Sequence, residues 1–300
     1  MESKLEYIVK SISRQNAIHS KKIKKNMKKF DEDYFSRANT FLDKYSVLLE
    51  EEDKNLDYAV DCYLQMIADM YFESVQFMQT GKYSSTSFEE VNQRVYNNSN
   101  IMEYYMHGLV LSQFLWTHHY DILLYFNKII SKNAKSIKSY LEIGGGHGLY
   151  ISEAIEIIGN QTNYDLADIS PSSLELSKKM ISNNKVNYHL TDIFEYFPEK
   201  KYDFITMGEV LEHVEDPIKL LQKLHALLDD NGKAFITTPT NAPTIDHIYL
   251  FKNVEDIRKV IEAAGFKIDE EKCVYSEDLP KELLEKYKIS MMYIGVLSKK

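Results

Sequence analysis

The sequence predicts an α/β fold: a seven-stranded sheet whose last strand pair is antiparallel, preceded by an all-helical region. Three observations predict it. Residues 139–150 read SYLEIGGGHGLY, a short apolar run closed by Gly144, Gly145, Gly146 and Gly148 and followed by a helical pattern. From about residue 136 onward, apolar runs and helical patterns alternate, as in a parallel sheet covered on both faces. Before that point there is no proline, and Gly81 and Gly108 stand far apart, so the usual punctuation of a β fold is missing.

Residues 1–135 read as a helical domain of four to six helices. Leu56, Ala59, Val60, Tyr63, Leu64, Ile67, Met70 and Tyr71 recur at helical spacing. A second long pattern covers about 102–130, with Trp116, His119, Leu123, Phe126 and Ile130 on one stripe. His119 shares that stripe and is expected to be buried and satisfied, whereas His118 points about 100° away and is expected to be freer. Residues 79–100 are the loop candidate, with a short helix inside them.

Residues 136–300 form the second domain. Strands are expected at 138–143, 162–168, 186–190, 202–207, 232–238, 266–275 and 289–298. Helices fall between them at 148–158, 171–183, 215–229 and 253–264, the last ending at Gly265, a natural C-cap. The last two strands are joined by residues 276–288, which contain Pro280 and a short helical pattern. No long crossover helix links them, so they are expected to pair antiparallel at an edge.

Composition narrows the function. The net charge of −9 supplies no global basic field and argues against nucleic acid as a partner. Lys21, Lys22, Lys24, Lys25, Lys28 and Lys29 are the exception, and they read as a solvated helix face or arm. Cys62 and Cys273 lack metal-type spacing, which points to a reducing compartment without disulfides. No secretory leader is evident, and no run approaches the roughly 18 apolar residues that span a bilayer. The expectation is a cytoplasmic chain with no membrane contact.

Alternate glycines at 144, 146 and 148 let the backbone lie flat against a ligand, while a glycine turn taken alone is often only a tight turn. A dinucleotide fingerprint G-x-G-x-x-G begun at Gly144 would put its third glycine at Leu149, so it fails, which disfavours a nicotinamide-dependent oxidoreductase. The observed pattern is E-x-G-x-G-x-G, from Glu142 through Gly148. It resembles motif I of the class I S-adenosylmethionine (SAM) methyltransferases, whose sheet is Rossmann-like. The resemblance implies SAM as cofactor, with Glu142 attracting its ammonium directly or through water, and with Gly144, Gly146 and Gly208 on the same rim. Asp168, which ends the second strand before Ser170 and Pro171, is placed to accept both ribose hydroxyls. Asp192 can accept the adenine amino group while Ile169 and Ile193 pack on the ring. Taken singly, Asp168 and Asp192 read as helix N-caps. His147 either touches the SAM carboxylate or caps the following helix.

Residues 208–217 read GEVLEHVEDP. The stretch is similar to the EVLEH motif of ubiquinone-biosynthesis O-methyltransferases and small-RNA 2′-O-methyltransferases. There the motif and a later histidine hold a magnesium-like ion, which implies Glu209, Glu212, His213 and His247 as ligands here, with Mg2+ or another divalent cation. Glu209, Glu212 and His213, at i, i+3 and i+4, are expected on one face of a helical turn. Without metal, His213, Glu209 or His247 serves as the catalytic base.

The reading is a SAM-dependent methyltransferase acting on a small-molecule acceptor, at oxygen before nitrogen or carbon. A catalytically silent methyltransferase-like partner subunit is the reading from another class. The helical half is expected to be a lid over the cleft or the interface of a homodimer. Tyr104, Tyr105, His107 and Trp116 are candidates to line the acceptor pocket, with helix packing as their alternative use.

Overall fold

The computed structural model describes residues 2–181 and 185–300. Helices occupy the first part: α1 (Lys4–Gln15), α2 (Ala17–Met27), α3 (Glu32–Glu51), α4 (Leu56–Thr80), the single turn α5 (Phe88–Val91), α6 (Ser99–Leu115) and α7 (Thr117–Asn133). A π-helical turn, Asn92–Tyr96, lies between α5 and α6. The described residues thus hold seven α-helices here, more than the four to six expected. The reason is chemical. Ser3, Asn16, Asp31, Asn55, Ser87 and Asn98 each start a helix by accepting a backbone N–H, so the starts are written in capping side chains, and glycine marks a break only at Gly81, which closes α4. The pattern over 102–130 is two helices, because Trp116 adopts an extended backbone (φ −109°, ψ 126°) and ends one while opening the next.

Seven strands follow: β1 (Ser139–Ile143), β2 (Asn163–Asp168), β3 (Val186–Leu190), β4 (Tyr202–Gly208), β5 (Leu228–Thr240), β6 (Phe266–Tyr275) and β7 (Met291–Lys299). They alternate with α8 (Leu149–Ile158), α9 (Pro171–Met180), α10 (Pro217–Leu227), α11 (Val254–Ala263) and the short α12 (Lys281–Lys286). The helix expected over 171–183 reaches Met180, and its residues 182 and 183 lie outside the described residues. The strand order is β3-β2-β1-β4-β5-β7-β6. β7 runs antiparallel to both β5 and β6 and separates them, which leaves β6 at the edge. Composition fits that placement: β7 is buried from Met292 to Leu297, whereas β6 carries Glu270, Glu271 and Lys272.

One face of the sheet packs Tyr140, Leu166, Phe204 and Phe235 against Ile122 and Phe126 of α7 and against Ile151 and Ala154 of α8. The other packs Leu141, Ile205 and Ile236 against α10 and α11. A separate cluster joins α1 to α6 and reaches Leu176 and Ile245 of the sheet region. The last helix before β1 therefore belongs to the sheet's core, which fixes the remaining helices above the carboxyl ends of the strands. The lysine-rich stretch is not wholly solvated: Lys22 of α2 pairs with Glu277, and Lys29, just beyond the helix, with Asp278. Cys62 and Cys273 are free. Among the described residues, no helix is long and apolar enough to cross a membrane.

Candidate active site

Strand order reverses between β1 and β4, so a crevice opens at the carboxyl ends of these strands. The glycine turn fills its floor. Gly144, Gly146 and Gly148 all have positive φ. At Gly146 a Cβ would meet only Met106 Cε at 3.6 Å and the Gly144 carbonyl at 4.0 Å, so its missing side chain leaves room for a ligand. Glu142 lies beside the turn, 2% exposed, with its Oε2 unpartnered. Burial pushes its carboxyl up to about 8, with the Asp168 charge adding to the rise and the Ile151 amide opposing it. A buried carboxyl with a free oxygen facing a cavity is a place prepared for a cation.

Asp168 accepts from the Gly146 amide at 3.2 Å and from the Ser170 amide at 2.8 Å. It caps the turn, and each oxygen retains a lone pair. Burial raises it to about 6, opposed by the Ser170, Gly146 and Ile169 amides. Asp192 accepts from Phe194 N–H at 2.9 Å and so caps a short 3₁₀ turn. Asp168, Ile169, Asp192, Ile193 and Phe194 line a cavity of 410 Å³. A second cavity of 730 Å³ contains Glu142, His147, Gly208 and Glu209. The two share Gly144, Gly146, Tyr105, Met106 and His213, so they are compartments of one cleft. His147 Nδ1 accepts from the Leu149 amide at 3.3 Å, capping α8 while its ring lines the second compartment.

The turn after β4 differs from the expected helical face. Glu209 has a left-handed backbone (φ 55°), and Leu211–His213 form a 3₁₀ turn, so Glu209 swings away from Glu212 and His213. Among the described residues, the group able to share an ion is Glu212, His213 and His247; Glu209 is not in it. Its carboxylate instead lies 3.8 Å from His119 Nε2 and borders both compartments. Burial, then the Asp246 charge, raises Glu209 to about 7.

Glu212 is fully buried. Its Oε2 accepts from Thr238 Oγ1 at 2.8 Å, and its Oε1 has no partner. That oxygen is 4.0 Å from His213 Nε2 and 3.9 Å from His247 Nε2, too far for hydrogen bonds. Each imidazole turns its other nitrogen to a backbone carbonyl: His213 Nδ1 is 3.1 Å from Asp246 O, and His247 Nδ1 is 2.5 Å from Ala242 O. A carbonyl only accepts, so both Nδ1 atoms carry the proton and both Nε2 atoms present lone pairs. Burial, then the Glu209 charge, raises the Glu212 carboxyl well above the usual carboxylate range; once it gives up its proton, three donor atoms within 4.8 Å of one another form a set suited to a divalent cation.

Among the helical residues, Tyr105 borders both compartments and Trp116 the second. Tyr104 and His107 do not line either. The Tyr104 hydroxyl donates to Asp69 at 2.6 Å, and His107 Nδ1 meets Tyr45 Oη at 2.6 Å, because both side chains face neighbouring helices. His118 is buried rather than free, 6% exposed, because the break at Trp116 turns it inward. Sequence reasoning missed Met106, Tyr96 and Asp246. Only the last carried a signal, since it precedes His247.

A family model described as a methyltransferase domain matches residues 118–271. The chain belongs to the methyltransferase domain family. Malonyl-[acyl-carrier protein] O-methyltransferase 1 of Ilyobacter polytropus is 31% identical over 112 residues, which is 37% of this chain and 41% of that protein. A ubiquinone biosynthesis O-methyltransferase of Hydrogenovibrio crunogenus is 31% identical over 103 residues, 34% of this chain and 42% of that protein. The chain thus spans less than half the length of these two curated relatives. Among solved structures, mitomycin 7-O-methyltransferase aligns with a TM-score of 0.55 at 11% identity, covering 82% of this chain and 70% of its own. An O-methyltransferase family protein from Burkholderia thailandensis gives 0.54 at 13% identity, covering 81% and 72%. At these identities the likeness concerns the fold. Methyltransferase-domain membership gives the cleft a cofactor class that its acids and glycines suit.

Proposed function

We propose that this methyltransferase-domain chain transfers the methyl group of SAM to a hydroxyl oxygen of a small-molecule acceptor. The observation that carries the reading is Glu142, a buried carboxyl with an unpartnered oxygen beside a glycine turn that leaves ligand space. In this reading Glu142 pairs with the ammonium of SAM, Asp168 accepts the ribose hydroxyls, and Asp192 accepts the adenine amino group between Ile169 and Ile193. SAM supplies a methyl group already activated on a sulfonium. The chain must align the acceptor oxygen, exclude water and take up one proton. Glu209, raised to about 7 and bordering both compartments, takes that proton.

Glu212, His213 and His247 would hold a divalent cation, which lowers the pKa of an acceptor hydroxyl and orients its oxygen. The name O-methyltransferase on the relatives supports oxygen as the acceptor atom. Within residues 1–135, α1 to α6 act as the lid over the cofactor domain of 136–300, while α7 packs into the sheet's core; Tyr96, Tyr105, Met106 and Trp116 roof the cleft. Calorimetric titration tests the reading: SAM and its demethylated product bind at micromolar levels and NAD is inert. Binding of NAD, or of none of the three, overturns it.

A further inference from the structure

The segment between α4 and α6 wraps the two loops that carry Glu212, His213 and His247. Tyr83 Oη accepts from the Ala242 amide at 3.0 Å, the Phe88 amide donates to Glu215 Oε1 at 2.6 Å, and Arg94 Nη2 donates to the Ile245 carbonyl at 2.6 Å. Tyr96, the last residue of the π turn, places its hydroxyl 2.9 Å from His213 Nδ1 and 3.5 Å from Asp246 Oδ2. Turns of this kind concentrate at functional sites. Asp246 is itself buried, and its Oδ1 accepts from Thr244 Oγ1 at 2.9 Å and from Tyr105 Oη at 3.4 Å.

Donor and acceptor roles follow from the chemistry. Thr244 Oγ1 donates to Asp246 Oδ1, and the Tyr96 hydroxyl faces the other oxygen, Oδ2. With its proton directed to Asp246 Oδ2, the Tyr96 hydroxyl turns an oxygen lone pair toward His213 Nδ1. The Asp246 carbonyl beside the same nitrogen also only accepts. Each of these neighbours calls for a proton on Nδ1.

We propose that Tyr96 is a positioning residue: with Asp246 it fixes His213 in the Nδ1–H tautomer and aims the Nε2 lone pair at the space shared with Glu212 and His247. The inference rests on reading that space as a cation cradle. A partner on the far nitrogen is how proteins orient a metal-binding imidazole. It also gives the helical half a task in the chemistry, because Tyr96 lies outside the sheet domain.

The test uses the full metal-free chain. Long-range proton–nitrogen spectra of the imidazoles, at mildly alkaline pH, report the His213 tautomer. The wild type shows Nδ1–H, and both Tyr96→Phe and Asp246→Asn shift the population toward Nε2–H. Manganese affinity, by calorimetry, falls about 10-fold or more in Tyr96→Phe, while its circular dichroism stays that of the folded wild type. A wild type already in the Nε2–H form, or a Tyr96→Phe spectrum identical to it, overturns the proposal. So does a loss of the folded circular-dichroism signal in Tyr96→Phe, which would make Tyr96 a prop of the fold. Failure of the cation reading shows separately, as a wild type that binds manganese no better than Glu212→Gln. The spectra then still decide the role of Tyr96.

Discussion

Replacing Glu142 by Gln separates a ligand site from a structural residue, because the account predicts opposite changes in stability and binding. The Glu142 carboxyl is raised from 4.5 to about 8, chiefly by burial. Its folded-state value lies above its unfolded value, so the folded chain holds a proton that the unfolded chain gives up. Below pH 4.5 both states are protonated and the group has no effect; stability is then lost as pH rises toward about 8. Each unit corresponds to about 1.4 kcal/mol, so the loss near neutrality is on the order of 3 kcal/mol. Gln keeps an acceptor for the Ile151 amide and cannot ionise, so it removes that loss. Thermal and denaturant unfolding across this range should show Glu142→Gln gaining on the wild type as pH rises. Titration with SAM should show the reverse, a weakening of about 1.5–3 kcal/mol, the scale of a hydrogen bond to a charged group. At neutral pH the wild type should also release a proton on binding, seen as a buffer-dependent heat. A variant that is less stable at every pH, or that binds SAM as tightly as the wild type, refutes the reasoning.

Other outcomes follow from the same geometry. Asp168→Ala should weaken SAM binding by about 1–3 kcal/mol, measured by calorimetry; because Asp168 also caps the glycine turn, a modest fall in melting temperature should accompany it. Chelation with EDTA should abolish methyl transfer, magnesium or manganese should restore it, and Glu212→Gln should lose the restoration. Full turnover in EDTA would leave proton removal to Glu209 and the histidines without metal.

The parts of the fold that were legible are those whose signals are local. All seven expected strands are present, though β5 begins at Leu228, where a helix to 229 was expected, and carries Asp229, Asp230, Asn231 and Gly232 within it; Gly144, Gly146 and Gly148 mark the turn by their positive φ. Helix boundaries in the first part were harder, since Asn16 ends α1 and starts α2, and Asp31 and Asn55 start α3 and α4, without breaking the composition. The break at Trp116 has no residue-level signal at all. The same contrast holds in the cleft. Glu142, Asp168 and Asp192 could be placed because each lies within two residues of the carboxyl end of its strand. Glu209 could not be placed, since its left-handed backbone depends on Thr237 of the neighbouring strand, whose carbonyl and hydroxyl both accept from the Glu209 amide. Tyr96 was invisible for a related reason: its partners His213 and Asp246 are 117 and 150 residues away. Tyr104 and His107 resembled pocket residues because buried tyrosine and histidine serve helix packing equally well.

The central claim is that one cleft grips a sulfonium nucleoside through its amino acid, sugar and base. A crystal structure with demethylated SAM tests it most directly. The account predicts the ammonium against Glu142, both ribose hydroxyls on Asp168, and the adenine amino group on Asp192. A nucleoside bound elsewhere, or those three carboxylates turned away from it, would contradict the account.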